Sequence, residues 1–228
     1  SDYREYEISN QHSISLSLMN LEWQGKKINL IDAPGYLDFH GEVKSAMSVA
    51  DFSAILVSST EGIDAGTELC WEYSDKEFKI PKLFIISMLD KDQSDYESII
   101  KALQSRYGRT VFPFTIPINQ GPSFNQLVDV LRKVTLTFET NGSGNFSESK
   151  SDGEWSQKVE DYHNELIELI AESDENLLEL FMSNDGLSEE ELRSGLHQAL
   201  KSGGLIPVFC VSGEKNIGVK RMMDILAK

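Results

Sequence analysis

The chain has 228 residues, with 37 acidic against 21 basic side chains and a formal net charge of −16. So negative a surface repels phosphate backbones, which excludes broad contact with free nucleic acid. No apolar run nears the ~18 residues of a membrane helix, which excludes a membrane partner, and no signal peptide is read at the start. The only cysteines, Cys70 and Cys210, lie in separate apolar runs and read as buried thiols of a reducing, cytoplasmic setting. The length permits one α/β domain with an insertion, or two small domains. The chain starts Ser-Asp-Tyr without Met, which reads as a piece of a longer protein.

Residues 1–12 are polar and without a clear period. Residues 14–21 alternate well enough to predict a strand, and 22–27 a hairpin turn into a second strand over 28–32. A helix over 39–49 follows, with Val43, Ala46, Met47 and Ala50 on one face. Residues 52–58 form a continuous apolar strand of the kind covered on both faces. A helix over 65–78, a buried strand over 83–87 and a helix over 96–107 complete an alternation that predicts a parallel doubly wound sheet. After Pro113 the rhythm breaks. Residues 127–138 read as a short strand or hairpin arm, and 141–153 (NGSGNFSESKSDG) as a flexible loop. Two or three amphipathic helices with acidic outer faces come next, the last opened by a capping box at Ser188. Residues 206–211 resume the buried-strand pattern, and 218–228 form a closing helix. The division expected is a core of residues 1–112 and 206–228, with an insertion over 113–205.

The most informative stretch is Asp32-Ala33-Pro34-Gly35 at the end of the 28–32 strand. A carboxylate at the C-terminal lip of a buried strand stands where open α/β sheets bind ligands. Gly35 offers a backbone amide with no Cβ in front of it. An amide and a carboxylate together can hold a terminal phosphate and the water on its magnesium. The same four residues also make an ordinary strand-end turn. Two further pieces stand at strand ends: Ser87-Met88-Leu89-Asp90, and Ser212-Gly213 in Pro-Val-Phe-Cys-Val-Ser-Gly-Glu-Lys-Asn-Ile-Gly-Val.

In this order and spacing the chain resembles translation elongation factor G over essentially its whole length, and more closely the divergent elongation-factor-G-like paralogues. Leu21-Glu22-Trp23, Gly41-Glu42-Val43 and Ser212-Gly213-Glu214 with Ile217-Gly218-Val219 carry the resemblance. It implies a Ras-like G domain of the P-loop NTPase type, a three-layer αβα fold with a mostly parallel sheet and an inserted α+β subdomain, G-prime, that meets the ribosomal stalk. It implies GTP or GDP and Mg2+ as cofactors of the full-length protein. Asp32 matches the aspartate that holds magnesium through water, and Gly35 the amide that reads the γ-phosphate. Ser13 stands where the family has its switch threonine and would also serve magnesium. Asp90 matches the aspartate that reads guanine, with Ser87 and Met88 in place of asparagine and lysine. Ser212-Gly213 would bring an amide to the guanine oxygen.

The chain departs from the family in three ways. Tyr36 replaces the histidine that orients the attacking water, and a phenol with a pKa of ~10 is a poor base. Met88 supplies an apolar contact to the base but no donor to the ribose. No Gly-x-x-x-x-Gly-Lys-[Ser/Thr] occurs; residues 213–220 come closest, but Lys220 is one place late. The resemblance implies that the first strand and the phosphate loop lie upstream of Ser1. A sheet without its middle strand exposes unpaired backbone. The chain alone is therefore expected to bind GTP poorly, and to close the gap, dimerise across it or rearrange. Two functional readings follow. One is the GTP-binding domain of a ribosomal translation factor, in translocation or recycling. The other is a pseudo-GTPase module that docks stalk or other proteins without turnover.

Overall fold

The computed structural model describes residues 2–184 and 186–227. The chain opens on a helix that its polar sequence does not announce, α1 (Glu5–Asn10). Six residues do not hold a helix by themselves. Glu7, only 1% exposed, anchors it by accepting the backbone N–H of Ile14 at 3.0 Å and of Ser15 at 3.1 Å. These bonds hold the Glu7 carboxyl below the usual carboxylate range. The Glu42 carboxylate takes the next amide, that of Leu16, at 2.8 Å. Side chains thus occupy the amides of 14–16. This is why the strand expected over 14–21 begins later, as β1 (Ser17–Trp23). It pairs antiparallel with β2 (Lys26–Asp32), Ser17 opposite Asp32, through a turn with positive φ at Gln24 and Gly25.

The core follows in the expected rhythm. α2 (His40–Met47) buries Val43, Ala46 and Met47. β3 (Ser53–Ser58) leads to α3 (Ala65–Glu72), which runs on through a wider turn closed by the Phe78 N–H on the Tyr73 carbonyl. β4 (Lys82–Ser87), α4 (Tyr96–Tyr107) and β5 (Val111–Pro113) complete this part. α4 has the bounds expected, set by Asp95, which accepts the Ser98 N–H, and by Gly108 at φ 99°.

Then come β6 (Thr115–Pro117), β7 (Gln126–Asp129), β8 (Val134–Phe138) and β9 (Phe146–Lys150), an antiparallel sheet in sequence order. Residues 127–138 are both arms of a hairpin. The flexible loop expected over 141–153 is corrected: β9 lies inside it, its polar side chains being no bar to pairing with β8. Three helices, α5 (Glu154–Glu172), α6 (Glu175–Asn184) and α7 (Glu189–Ser202), lead to β10 (Ile206–Cys210) and α8 (Val219–Leu226). Ser188 and Glu191 form the expected capping box.

β10 inserts between β4 and β5 to give a parallel sheet of order β3-β4-β10-β5. Phe84, Ile86, Leu89, Phe112, Phe114 and Phe209 are at most 1% exposed. A buried side chain of this size contributes about 1.5–3 kcal/mol. Phe114 and Phe209, with ring centroids 5.6 Å apart, carry this core from the parallel to the antiparallel sheet. A buried ion pair joins the same regions: Arg221 Nε of α8 donates to Asp129 Oδ2 of β7 at 2.5 Å.

β3 corrects one expectation. It is not covered on both faces: Ile55 and Val57 are buried, but Leu56 is 65% exposed. β3 stands at an edge of the parallel sheet, and the β1–β2 hairpin forms a separate two-stranded ladder. Leu18 and Leu30 of that hairpin are exposed as well. The hairpin tip is held instead by Asp224 of α8, which accepts from Trp23 Nε1 at 3.0 Å and Gln24 Nε2 at 2.7 Å.

Candidate nucleotide site

At the end of β2, Asp32 is half-buried, Pro34 buried and Gly35 exposed. A Cβ built on Gly35 would have no atom within 4 Å, so its backbone is open to close approach. The Gly35 carbonyl oxygen lies against Gly66 in the first turn of α3, 3.3 Å from where a Cβ on Gly66 would stand. That turn is capped by Asp64, which accepts the Thr67 N–H at 2.6 Å and the Thr67 hydroxyl at 2.7 Å. The hydroxyl bond is the main reason that the Asp64 carboxyl lies below its ordinary range.

From there the contacts continue along the ends of the strands. Ser58 and Gly62 bridge at the end of β3. The Ser59 N–H donates to the Ser87 carbonyl at 3.0 Å, and Ser58 Oγ lies 3.8 Å from Met88 Sδ. The turn after β2 thus meets the start of α3, and the turn after β3 meets the turn at Asp90, where β3 and β4 present their C-terminal ends.

Met88 takes φ 64°, unusual for a side chain of its size, and is 41% exposed. The kink sends Leu89 into the core and leaves Asp90 7% exposed. Burial pushes the Asp90 carboxyl up, but a bond from the Ser212 side chain and the charges of Lys91 and Lys215 outweigh it and hold the group below its usual range. Lys91 Nζ stands 3.6 Å from Asp90 and 2.6 Å from Glu214. Ser212 is fully buried, and its loop is closed by paired bonds of 3.0 Å between Ser212 and Ile217. Gly213 is exposed, with nothing within 4 Å of a Cβ built there. Asp90, Ser212 and Gly213 thus form one constellation: a charged acceptor beside an open backbone.

Tyr36 is 59% exposed. Its ring lies 4.6 Å from the imidazole of His12, which also stacks on Phe39 at 6.1 Å. Sequence reasoning gave His12 no role, and a single histidine in a polar segment carries no signal of this packing. Ser13 donates its hydroxyl to Asp2 at 2.6 Å. Among the described residues no group of three or more His, Cys, Asp or Glu could hold a metal ion. A magnesium ion at this site would need oxygens from its nucleotide.

The residues present fit part of a guanine nucleotide. Asp90 suits the paired N–H groups of a guanine edge, Gly213 its carbonyl, and the open Gly35 backbone a terminal phosphate. The stretch between has no glycine-rich cradle among these 228 residues.

The chain is 29% identical over 225 residues to an elongation factor G-like protein of Thermotoga maritima, covering 99% of this chain and 32% of that protein. A solved crystal structure of a Thermus thermophilus protein superposes with a TM-score of 0.91 at 29% identity, over 99% of this chain and 33% of that one. The chain thus spans about a third of the length of these relatives. The model of the elongation factor Tu GTP binding domain matches residues 1–228. The resemblance read from Asp32-Ala33-Pro34-Gly35 and its partner turns is borne out, and the chain belongs to the family of elongation factor Tu GTP-binding domains, the GTP-binding domains of translation factors.

Proposed function

We propose that the protein containing this chain is a GTP-binding translation factor of the elongation factor G type, acting on the ribosome in translocation or recycling. The observation that carries this reading is the buried Asp90 carboxylate, joined through Lys91 to Glu214 of the loop that holds the open Gly213 backbone. An acceptor for paired donors next to a free amide is the pattern that recognises guanine. GTP or GDP would bring Mg2+, with Asp32 and Ser13 near the ion and Gly35 at the γ-phosphate. Tyr36 stands where water would attack, and a phenol there makes hydrolysis slow.

In this reading the nucleotide core comprises residues 1–112 and 206–228. Residues 113–205 form the insertion, whose acidic helices α5 to α7 face the ribosomal stalk. The chain alone lacks the cradle for the inner phosphates and holds GTP poorly. Its uncovered apolar residues Leu18, Leu30 and Leu56 would favour pairing with a second copy. Titration calorimetry of GTP with magnesium into the isolated chain is expected to show no binding at micromolar concentrations. Micromolar binding would contradict the assignment of the inner-phosphate contacts to residues outside it.

A further inference from the structure

The loop of residues 212–217 is fastened from outside the parallel sheet. Asn216, at φ 55°, reaches toward the turn between β8 and β9. Its Nδ2 donates to the Gly142 carbonyl at 3.2 Å. Gly144 approaches from the same turn at φ 71°, so closely that a Cβ there would stand 2.7 Å from Asn216 Nδ2 and 3.3 Å from the Asn216 carbonyl oxygen.

That turn is itself firmly built. The Ser143 N–H donates to Asn141 Oδ1 at 2.9 Å, and the Ser143 hydroxyl to Glu139 at 2.9 Å. Asn145 N–H donates to Ser143 Oγ at 3.1 Å, and Glu139 N–H to the Asn145 carbonyl at 2.9 Å. A second tie comes from Lys215, whose ammonium donates to the Pro122 carbonyl.

A backbone amide recognises a ligand only when it is aimed, and Gly213 has no side chain to hold its own backbone in place. Asn216 sits in a left-handed conformation that asparagine tolerates, and contacts around its side chain fix it there. Those contacts come from the antiparallel sheet. We infer that Asn216 is a positioning residue for the purine ring: it transfers the shape of the 139–145 turn to the Ser212-Gly213 backbone and so sets how well guanine is told from other purines. This rests on the guanine reading of Asp90 and Ser212 proposed above. Linkage makes the effect reciprocal. A partner that shifts the 139–145 turn changes guanine affinity, and a bound guanine nucleotide changes that partner's affinity by the same factor.

The test uses the full-length protein and the variants Asn216→Ala and Gly144→Ala, the second displacing Asn216 from the opposite side. GTP and ATP affinities are measured by competition, with melting temperature as control. The loss of one oriented hydrogen bond predicts a fall in GTP affinity of about two- to tenfold in both variants, with ATP affinity unchanged. A parallel fall for GTP and ATP, or no fall in either variant, would overturn the inference while leaving the guanine reading intact. An unaltered protein that does not prefer GTP to ATP would overturn that reading and this inference together. Should one variant fail to fold, the other decides the outcome by the same ratio.

Discussion

Replacing Arg221 with methionine is expected to lower the unfolding free energy by about 3–5 kcal/mol. Asp129 is fully buried and Arg221 is 4% exposed, so the substitution leaves a carboxylate in the core without its cation. Water cannot reach it, and the desolvation of an unpaired charge outweighs every other consequence of the change. The damage should fall on the joint between β7 and α8, which Arg221 and Asp129 link across 92 residues of sequence. The paired change Asp129→Leu with Arg221→Met removes both charges and should recover most of the loss. What remains is about 1 kcal/mol for the Arg132 N–H, which Asp129 Oδ1 accepts at 3.1 Å. Urea unfolding of the two single variants and the double variant measures this directly. A single-variant loss under about 1 kcal/mol would mean that the pair is solvated, contrary to its burial.

The second large effect is on ligand choice. Asp90→Asn in the full-length protein is expected to weaken GTP binding about 100-fold or more, since two charge-assisted bonds to the guanine edge are lost. Asparagine keeps the size of aspartate and one acceptor oxygen, so the fold should persist. Its amide would meet the guanine N–H groups donor to donor. Xanthine carries an oxygen where guanine carries the 2-amino group, so xanthosine triphosphate should gain where GTP loses. Competition of the two nucleotides against a fluorescent analogue gives the ratio. An unchanged order of affinities would show that Asp90 does not face the base, and would favour the docking-module reading of the chain.

The core was legible because its signals are local. Asp95 and Gly108 set the ends of α4 within a few residues of sequence. The five residues of β10 are apolar or proline throughout and all buried, as the pattern required. The Asp32-Ala33-Pro34-Gly35 turn combined a strand end, a carboxylate and a glycine in four positions. What was not legible depends on contacts between distant residues. α1 stands because Glu7 captures the amides of Ile14 and Ser15. β9 is polar and serine-rich, and only β8 beside it makes it a strand. Leu56 sits in an apolar run that reads as doubly covered, yet β3 lies at the edge of its sheet and leaves it exposed. At the site, Asp90, Ser212 and Gly213 were singled out through the resemblance to elongation factor G, and Lys91 ties Asp90 to Glu214 beside Gly213. The packing of His12 on Tyr36, and of Asn216 on the 139–145 turn, had no counterpart in periodicity or motif.

The central claim is that one guanine nucleotide touches both the turn after β2 and the turns after β4 and β10. Hydrogen–deuterium exchange of the full-length protein, with and without a slowly hydrolysed GTP analogue and magnesium, tests it most directly. The account predicts that the nucleotide slows exchange at Gly35-Tyr36 and at Leu89-Asp90 with Gly213 together, with one saturation curve. Slowing at one position without the other, or at neither, would contradict it.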